Sequence, residues 1–304
     1  MATVVRSEAA VSAKRWGRRE RGVTAALLSA PLLWLLLFFI LPVAYVALYS
    51  LGAIKILPTD TGVISLDTWS RFLGGGSIYM SLFWKSIRMS LTVSVAVVLL
   101  AYPIGYFLAL VVRKLKYVLL LVIIVPFLTS FLLRVLAWKV MLGDKGVFNS
   151  LLVSLHLRGA NDPIEWLLYS QFTVMLVLAY AWIPFVALPI FVSLDNMDRS
   201  LLEAASDLGC SRMRTFWRVT LPLSLPGLVA GFVFVFVPTI GEFVTPLLVG
   251  GTSGYMYGNA IQDLFTRSQD WQTGSVLAIF LLAVVAGLML IFGRYIQVRS
   301  VAAD

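Results

Sequence analysis

Charged side chains are scarce in this chain, so those inside its apolar runs are where chemistry is to be sought. Glu242, in VFVPTIGEFVTPLLVGG, is the only acid well inside a long apolar run. An ionised residue at the centre of a membrane helix costs about 2.5–3.5 kcal/mol on insertion scales. Glu242 must therefore face a partner or a watery path. Two readings stand side by side: an anionic site for a cationic solute, or a salt bridge to Arg134 or Lys139, the cations of another apolar run. Pro238, Gly241 and Pro246 surround Glu242 and predict a broken helix. Broken backbone at membrane depth lines a cavity or is buried in protein. Arg134 fits a gate latch to Glu242, whereas Lys139, nearer the end of its run, is placed to snorkel. Trp138, Tyr180 and Trp182 offer ring faces that could hold an amine by cation–π contact. Trp138 and Trp271 also suit an aromatic belt at the membrane interface.

A second polar site lies between two apolar runs. Residues Glu203–Pro222, EAASDLGCSRMRTFWRVTLP, form the most polar internal segment. Helix formers over Leu201–Leu208 predict a short helix carrying Ala204 and Ala205 between Glu203 and Asp207. Gly209 is placed to stop it as a C′ glycine does. A second piece, Arg212–Val219, brings three arginines together with Met213, Phe216 and Trp217. Pro222, after Leu221, suits the first turn of the next helix. The expectation is a helical elbow with a small-residue knob that another protein could grip.

Catalytic chemistry has little material here. The lone cysteine, Cys210, excludes an intrachain disulfide, and the lone histidine, His156, excludes a multi-histidine metal site. Any nucleophile–histidine–acid set would have to pass through His156, in a polar loop. No Gly-x4-Gly-Lys-Ser/Thr phosphate loop occurs, so no ATPase is expected within the chain. The sequence thus predicts no catalytic residue and no metal or cofactor of its own.

The elements that must position these residues are membrane helices. Apolar residues make up 60% of the chain and charged ones 13%, against about 25% charged in soluble domains. The net charge of +9 falls beside apolar runs rather than along one polar face, which argues against nucleic acid. Six spans are expected, at about 23–51, 86–112, 117–142, 170–194, 222–249 and 274–296. The first is kinked at Pro42. Between spans, Leu66, Trp69 and Phe72 predict a short surface helix, and Phe148, Leu151, Leu152 and Leu155 a short amphipathic one. GGTSGYMYG reads as a flexible polar turn. Cations concentrate before the first span, at 113–116, in the elbow and at the C-terminus, so the positive-inside rule puts both termini and the elbow in the cytoplasm.

The spacing of Glu203, Ala204, Ala205, Gly209, Leu221 and Pro222 resembles the EAA signature of ABC-importer permeases. Val219 stands where that signature usually has isoleucine. PFLTSFLLRVLAW (Pro126–Trp138), GVFNSLL (Gly146–Leu152), YAWIPFVALPIFVSLDNMDRSLLEAASDLG (Tyr180–Gly209), VFVPTIGEFVTPLLVGG (Val235–Gly251) and Asp270-Trp271 are similar to the spermidine/putrescine branch. The resemblance covers about 30–296. It implies an all-α, six-helix, type I importer-like permease in the bacterial inner membrane, with domain 23–296 between a basic segment 1–22 and a tail 297–304. It implies that the elbow, 199–222, with Asp207 among its residues, docks on a separate ATP- and Mg-binding subunit present in two copies. A second homologous permease and an extracytoplasmic solute-binding protein would complete the assembly. The implied cargo is a polyamine, with an amino acid or opine-like solute as the alternative. An ion-coupled secondary carrier using Glu242 is a further alternative, although no internal repeat supports it.

Overall fold

The computed structural model describes residues 23–24, 27–54, 62–74, 76–157, 159 and 164–301. The basic segment 1–22 and residues 302–304 of the tail lie outside the described residues. Two compact units, Met1–Trp69 and Ser70–Asp304, are taken separately.

In the first unit, α1 (Leu27–Ser50) is long and apolar enough to cross a membrane. Its leucines and phenylalanines from Leu32 to Leu41 are exposed, as suits a surface facing lipid. A π-helical turn, Leu36–Ile40, precedes Pro42, and the Leu41 N–H reaches back to the Leu36 carbonyl. Proline lacks an N–H and crowds the carbonyl four residues earlier, and the wider turn accommodates both. At the far end of α1 the Trp69 indole N–H donates to Ser50 Oγ at 3.4 Å.

The second unit is built on α3 (Ile78–Val111), α7 (Gln171–Asp195) and α9 (Arg212–Ile240), which pack against one another. Between them lie α4 (Lys116–Leu128), α5 (Phe131–Leu142), α6 (Val147–Ser154) and α8 (Ser200–Asp207); α10 (Tyr257–Thr266) and α11 (Trp271–Val301) follow. The core joins Val93, Val97 and Ala101 of α3 to Val177, Val186 and Ile190 of α7 and Val235 of α9. Contact between α7 and α9 needs glycine: a Cβ on Gly227 would lie 2.5 Å from the Pro189 carbonyl oxygen. Without a hydrophobic drive between helices in lipid, such close approach supplies the packing.

Several expectations are corrected. The second span begins at Ile78, because Lys85, which reads as a polar boundary, donates from Nζ to the carbonyls of Ser253 (2.6 Å) and Tyr255 (2.8 Å). The third span is not one straight helix: α4 and the helical stretch Phe131–Ser154 meet at an 82° bend. A 3-10 turn at Val125–Leu128 carries Pro126, Thr129 is extended, and Ser130 precedes the next helix with non-helical backbone. The fifth span begins at Arg212 and stops at Ile240. The glycine-rich turn is not wholly polar and free: Met256 and Tyr257 are fully buried, with the Tyr257 N–H on Ser86 Oγ at 2.8 Å. Phe72, expected on a surface helix (α2, Asp67–Leu73), is 2% exposed and stacks edge-on to Phe280. The amphipathic helix is present as α6, with Leu151 and Leu155 exposed.

Candidate functional site

The elbow is shaped by its caps. Helix α8 ends in a Schellman arrangement, in which the Gly209 N–H donates to the Ser206 carbonyl at 2.9 Å and the Cys210 N–H to that of Ala205 at 3.0 Å. Gly209 has φ +74°, the left-handed conformation that favours glycine. At the other end, Asp198 accepts from the Ser200 N–H at 2.9 Å, which holds the Asp198 carboxyl below its usual range. Ser211 caps α9 through the Arg214 N–H.

Pro222 stands in the first turn of the α-helical stretch Leu221–Ile240, as expected, but that stretch is not a separate helix: α9 runs on from Arg212 through a π turn at Phe216–Thr220. The Leu221 N–H bonds the Phe216 carbonyl, five residues back, as in α1 before Pro42. The second limb of the elbow and the membrane helix are one continuous helix.

Glu203, Ala204, Asp207 and Gly209 are exposed, whereas Ala205 is 7% exposed and faces inward. Of the alanine pair, only Ala204 is open to a partner. Leu208 (83%), Met213 and Trp217 add exposed apolar surface to this polar segment. Leu221 is half-buried and Pro222 exposed.

The anchoring contacts of the elbow escaped sequence reasoning. Lys116, at the start of α4, pairs with Asp195, at the end of α7, at 2.5 Å, and the Tyr117 hydroxyl donates to the same carboxylate at 3.2 Å. The Arg199 guanidinium donates to the Ala109 carbonyl at 3.2 Å, closing the end of α3. Phe216 lies edge-on to Tyr102 and Tyr106 of α3. A lysine in a basic turn and an aspartate ending an apolar run were the available signals. The elbow itself is tied to α3, through Arg199 and Phe216, and it follows closely on Asp195, where Lys116 and Tyr117 join α4 to the end of α7.

Within the apolar segments the candidate residues fall into two groups. Arg134, Trp138, Tyr180 and Trp182 share one aromatic cluster. Trp138 stacks with Phe148 and meets Tyr180 at 5.4 Å; Tyr180 meets Phe127 at 5.4 Å; Phe127 connects through Phe185 to Trp182. The Arg134 guanidinium lies 4.9 Å from the Phe127 ring centre. Lys139 sits over the Tyr169 ring, near the end of α5. Trp271 starts α11, with its indole N–H on the Phe265 carbonyl.

Glu242 stands apart. The break predicted there is present between Ile240 and the helical segment 244–250. Its carboxylate Oε1 accepts from the N–H groups of Val244 (2.9 Å) and Thr245 (3.0 Å), capping that segment. Of the two readings of Glu242, the bridge to Arg134 or Lys139 is absent among the described residues; Oε1 meets the backbone of its own helical segment instead. Thr239 and Thr245, on either side, have buried hydroxyls without a partner. Outside the apolar helices, the Tyr255 hydroxyl donates to Asp263 at 2.7 Å; burial and that carboxylate raise its pKa.

Residues 101–302 match the family described as binding-protein-dependent transport system inner membrane component. The chain is 35% identical to the spermidine/putrescine transport system permease protein PotB of Escherichia coli K12, over 86% of this chain and 93% of that one. A solved bacterial ABC transporter involved in import of the acidic polysaccharide alginate shares the fold, with TM-score 0.67 at 18% identity, covering 93% of this chain and 98% of that one. The alginate transporter in complex with its pentasaccharide-bound periplasmic protein gives TM-score 0.65 at 18% identity, covering 90% and 93%. From the family match and the identity to PotB over most of both chains, this chain belongs to the binding-protein-dependent inner membrane components, the multi-pass permease subunits of ABC importers.

Proposed function

We propose that this permease moves a small cationic organic solute, of the spermidine or putrescine kind, into the cytoplasm when a separate ATPase subunit hydrolyses ATP. The observation that carries the reading is the elbow. Its exposed Glu203, Ala204 and Asp207, with exposed Leu208, Met213 and Trp217 nearby in the chain, form a surface tied to the end of α3 through Arg199. Exposed apolar surface on a polar segment marks a protein contact. The partner is an ATP- and Mg-binding subunit, present in two copies. Closure of the ATPases tilts the elbow, and the unbroken α9 carries that tilt into the membrane. A second homologous permease and an extracytoplasmic binding protein complete the importer. The positive-inside count supports a cytoplasmic side for both termini and the elbow, and Lys116 of the basic turn pairs with Asp195, a few residues before the elbow.

The name of the PotB relative supports a polyamine as cargo. The rings of Trp138, Tyr180 and Trp182 and the carboxylate of Glu242 supply chemistry suited to an amine. The test is co-purification of the assembled complex, followed by its binding-protein-stimulated ATPase with spermidine, putrescine and a panel of amino acids. Stimulation confined to the polyamines is expected. Stimulation by amino acids alone overturns the assignment of the cargo, and failure of any ATPase to co-purify overturns the importer reading.

A further inference from the structure

Two groups in the aromatic cluster can donate hydrogen bonds but cannot accept them, and neither has an acceptor. Arg134 Nε and Nη1 and Trp182 Nε1 are enclosed by protein without a hydrogen-bond partner. The Phe127 ring, its centre 4.9 Å from the guanidinium carbon, offers a cation–π contact but no hydrogen-bond acceptor of the usual kind. A polyamine does not answer this need, because ammonium groups are donors too. The missing partner is an acceptor, and for a guanidinium in an apolar setting the fitting acceptor is a carboxylate.

The described residues supply none. Glu242 caps its own helical segment through Oε1 and makes no ion pair with Arg134, Asp195 is held by Lys116 and Tyr117, and Asp263 by Tyr255 and Arg267. The other acids lie in turns or short helices. On α5, around Arg134, the side chains of Leu133 (63% exposed) and Val140 (72%) face outward, an apolar surface that another membrane helix can cover. A charge within a spanning segment almost always finds a counter-charge or a watery cavity.

We propose that Arg134 receives a carboxylate from a spanning helix of the second permease subunit, so that the two permeases are keyed together by an intramembrane ion pair beside the aromatic cluster. The proposal rests on the reading of this chain as one of two permeases in an importer. Its test is charge exchange in the complete complex of both permeases, the ATPase and the binding protein. Breaking such a pair is expected to lower the yield of intact complex with Arg134→Gln, and with Arg134→Glu by about tenfold or more. Each acid in the predicted spans of the second permease is then changed singly to Lys in the Arg134→Glu background. Recovery of yield and transport by one of them, and not by the same change against wild-type Arg134, is the expected result.

The proposal is overturned if no exchange recovers the complex, or if Arg134→Glu assembles as the wild type does. It is also overturned if Arg134→Gln assembles normally but loses only uptake of amines bearing a carboxylate, such as ornithine; the acceptor then belongs to the solute. A wild-type complex lacking binding-protein-stimulated ATPase would instead remove the importer reading beneath it.

Discussion

Gly209 sits at φ +74°, and a Cβ built there meets nothing within 4 Å. A side chain at this position therefore acts through backbone strain alone. The left-handed conformation costs a non-glycine residue about 1–2 kcal/mol, and a β-branched one stands at the upper end. That strain falls on the turn whose two bonds, Gly209 to Ser206 and Cys210 to Ala205, end an eight-residue helix. So short a helix has little stability of its own. Gly209→Val should populate an opened elbow and weaken ATPase docking about 5- to 30-fold, the equilibrium equivalent of that strain. Gly209→Asn is the control, because Asn tolerates the left-handed region. The assay is the affinity of the purified ATPase subunit for the permease complex in detergent, with the midpoint of thermal unfolding measured in parallel. Gly209→Val should lose affinity with an unchanged midpoint, and Gly209→Asn should retain most of it. Wild-type affinity in Gly209→Val, or equal loss in both variants, would refute the strained-turn reasoning.

Three further tests separate neighbouring roles. Ala204→Trp should abolish co-purification of the ATPase while leaving thermal stability unchanged, whereas Ala205→Trp, at a position 7% exposed, should destabilise the elbow by about 1–3 kcal/mol, read by thermal unfolding. Glu242→Gln keeps an oxygen for the Val244 and Thr245 N–H groups and loses only the charge at the helix start, so stability should fall by no more than about 1 kcal/mol. Uptake of a dicationic solute should fall with it; a loss of about 3–5 kcal/mol would instead indicate a buried ion pair. Lys116→Met and Asp195→Asn should each lower the unfolding midpoint and the transport yield per ATP, and the double variant should lose less than the sum.

How much of this was legible in sequence depended on whether the signal was local. Gly209 could be placed because a glycine at the end of a helix-forming stretch has one common use, and its positive φ agrees. The break at Glu242 followed from Pro238, Gly241 and Pro246. Pro222 in the first turn of Leu221–Ile240 was legible, whereas the π turn that joins this stretch to the elbow was not, because only the backbone bond from Leu221 to Phe216 reveals it. Lys85 and Tyr257 were misplaced because their partners, at Ser253, Tyr255 and Ser86, lie about 170 residues away in sequence. The inward turn of Ala205 beside the outward Ala204 is likewise set by tertiary packing. Among the membrane residues, sequence found Arg134, Trp138, Tyr180 and Trp182 one by one; that rings bring them into one cluster, and that Glu242 caps its own helical segment, needed the fold.

The most direct measurement of the central claim is uptake of labelled spermidine into proteoliposomes that hold both permeases and the ATPase, with the loaded binding protein outside. The account predicts accumulation that requires ATP within the vesicle lumen on the ATPase side and is lost in Gly209→Val. Uptake that ignores ATP and follows an imposed proton or sodium gradient would contradict it.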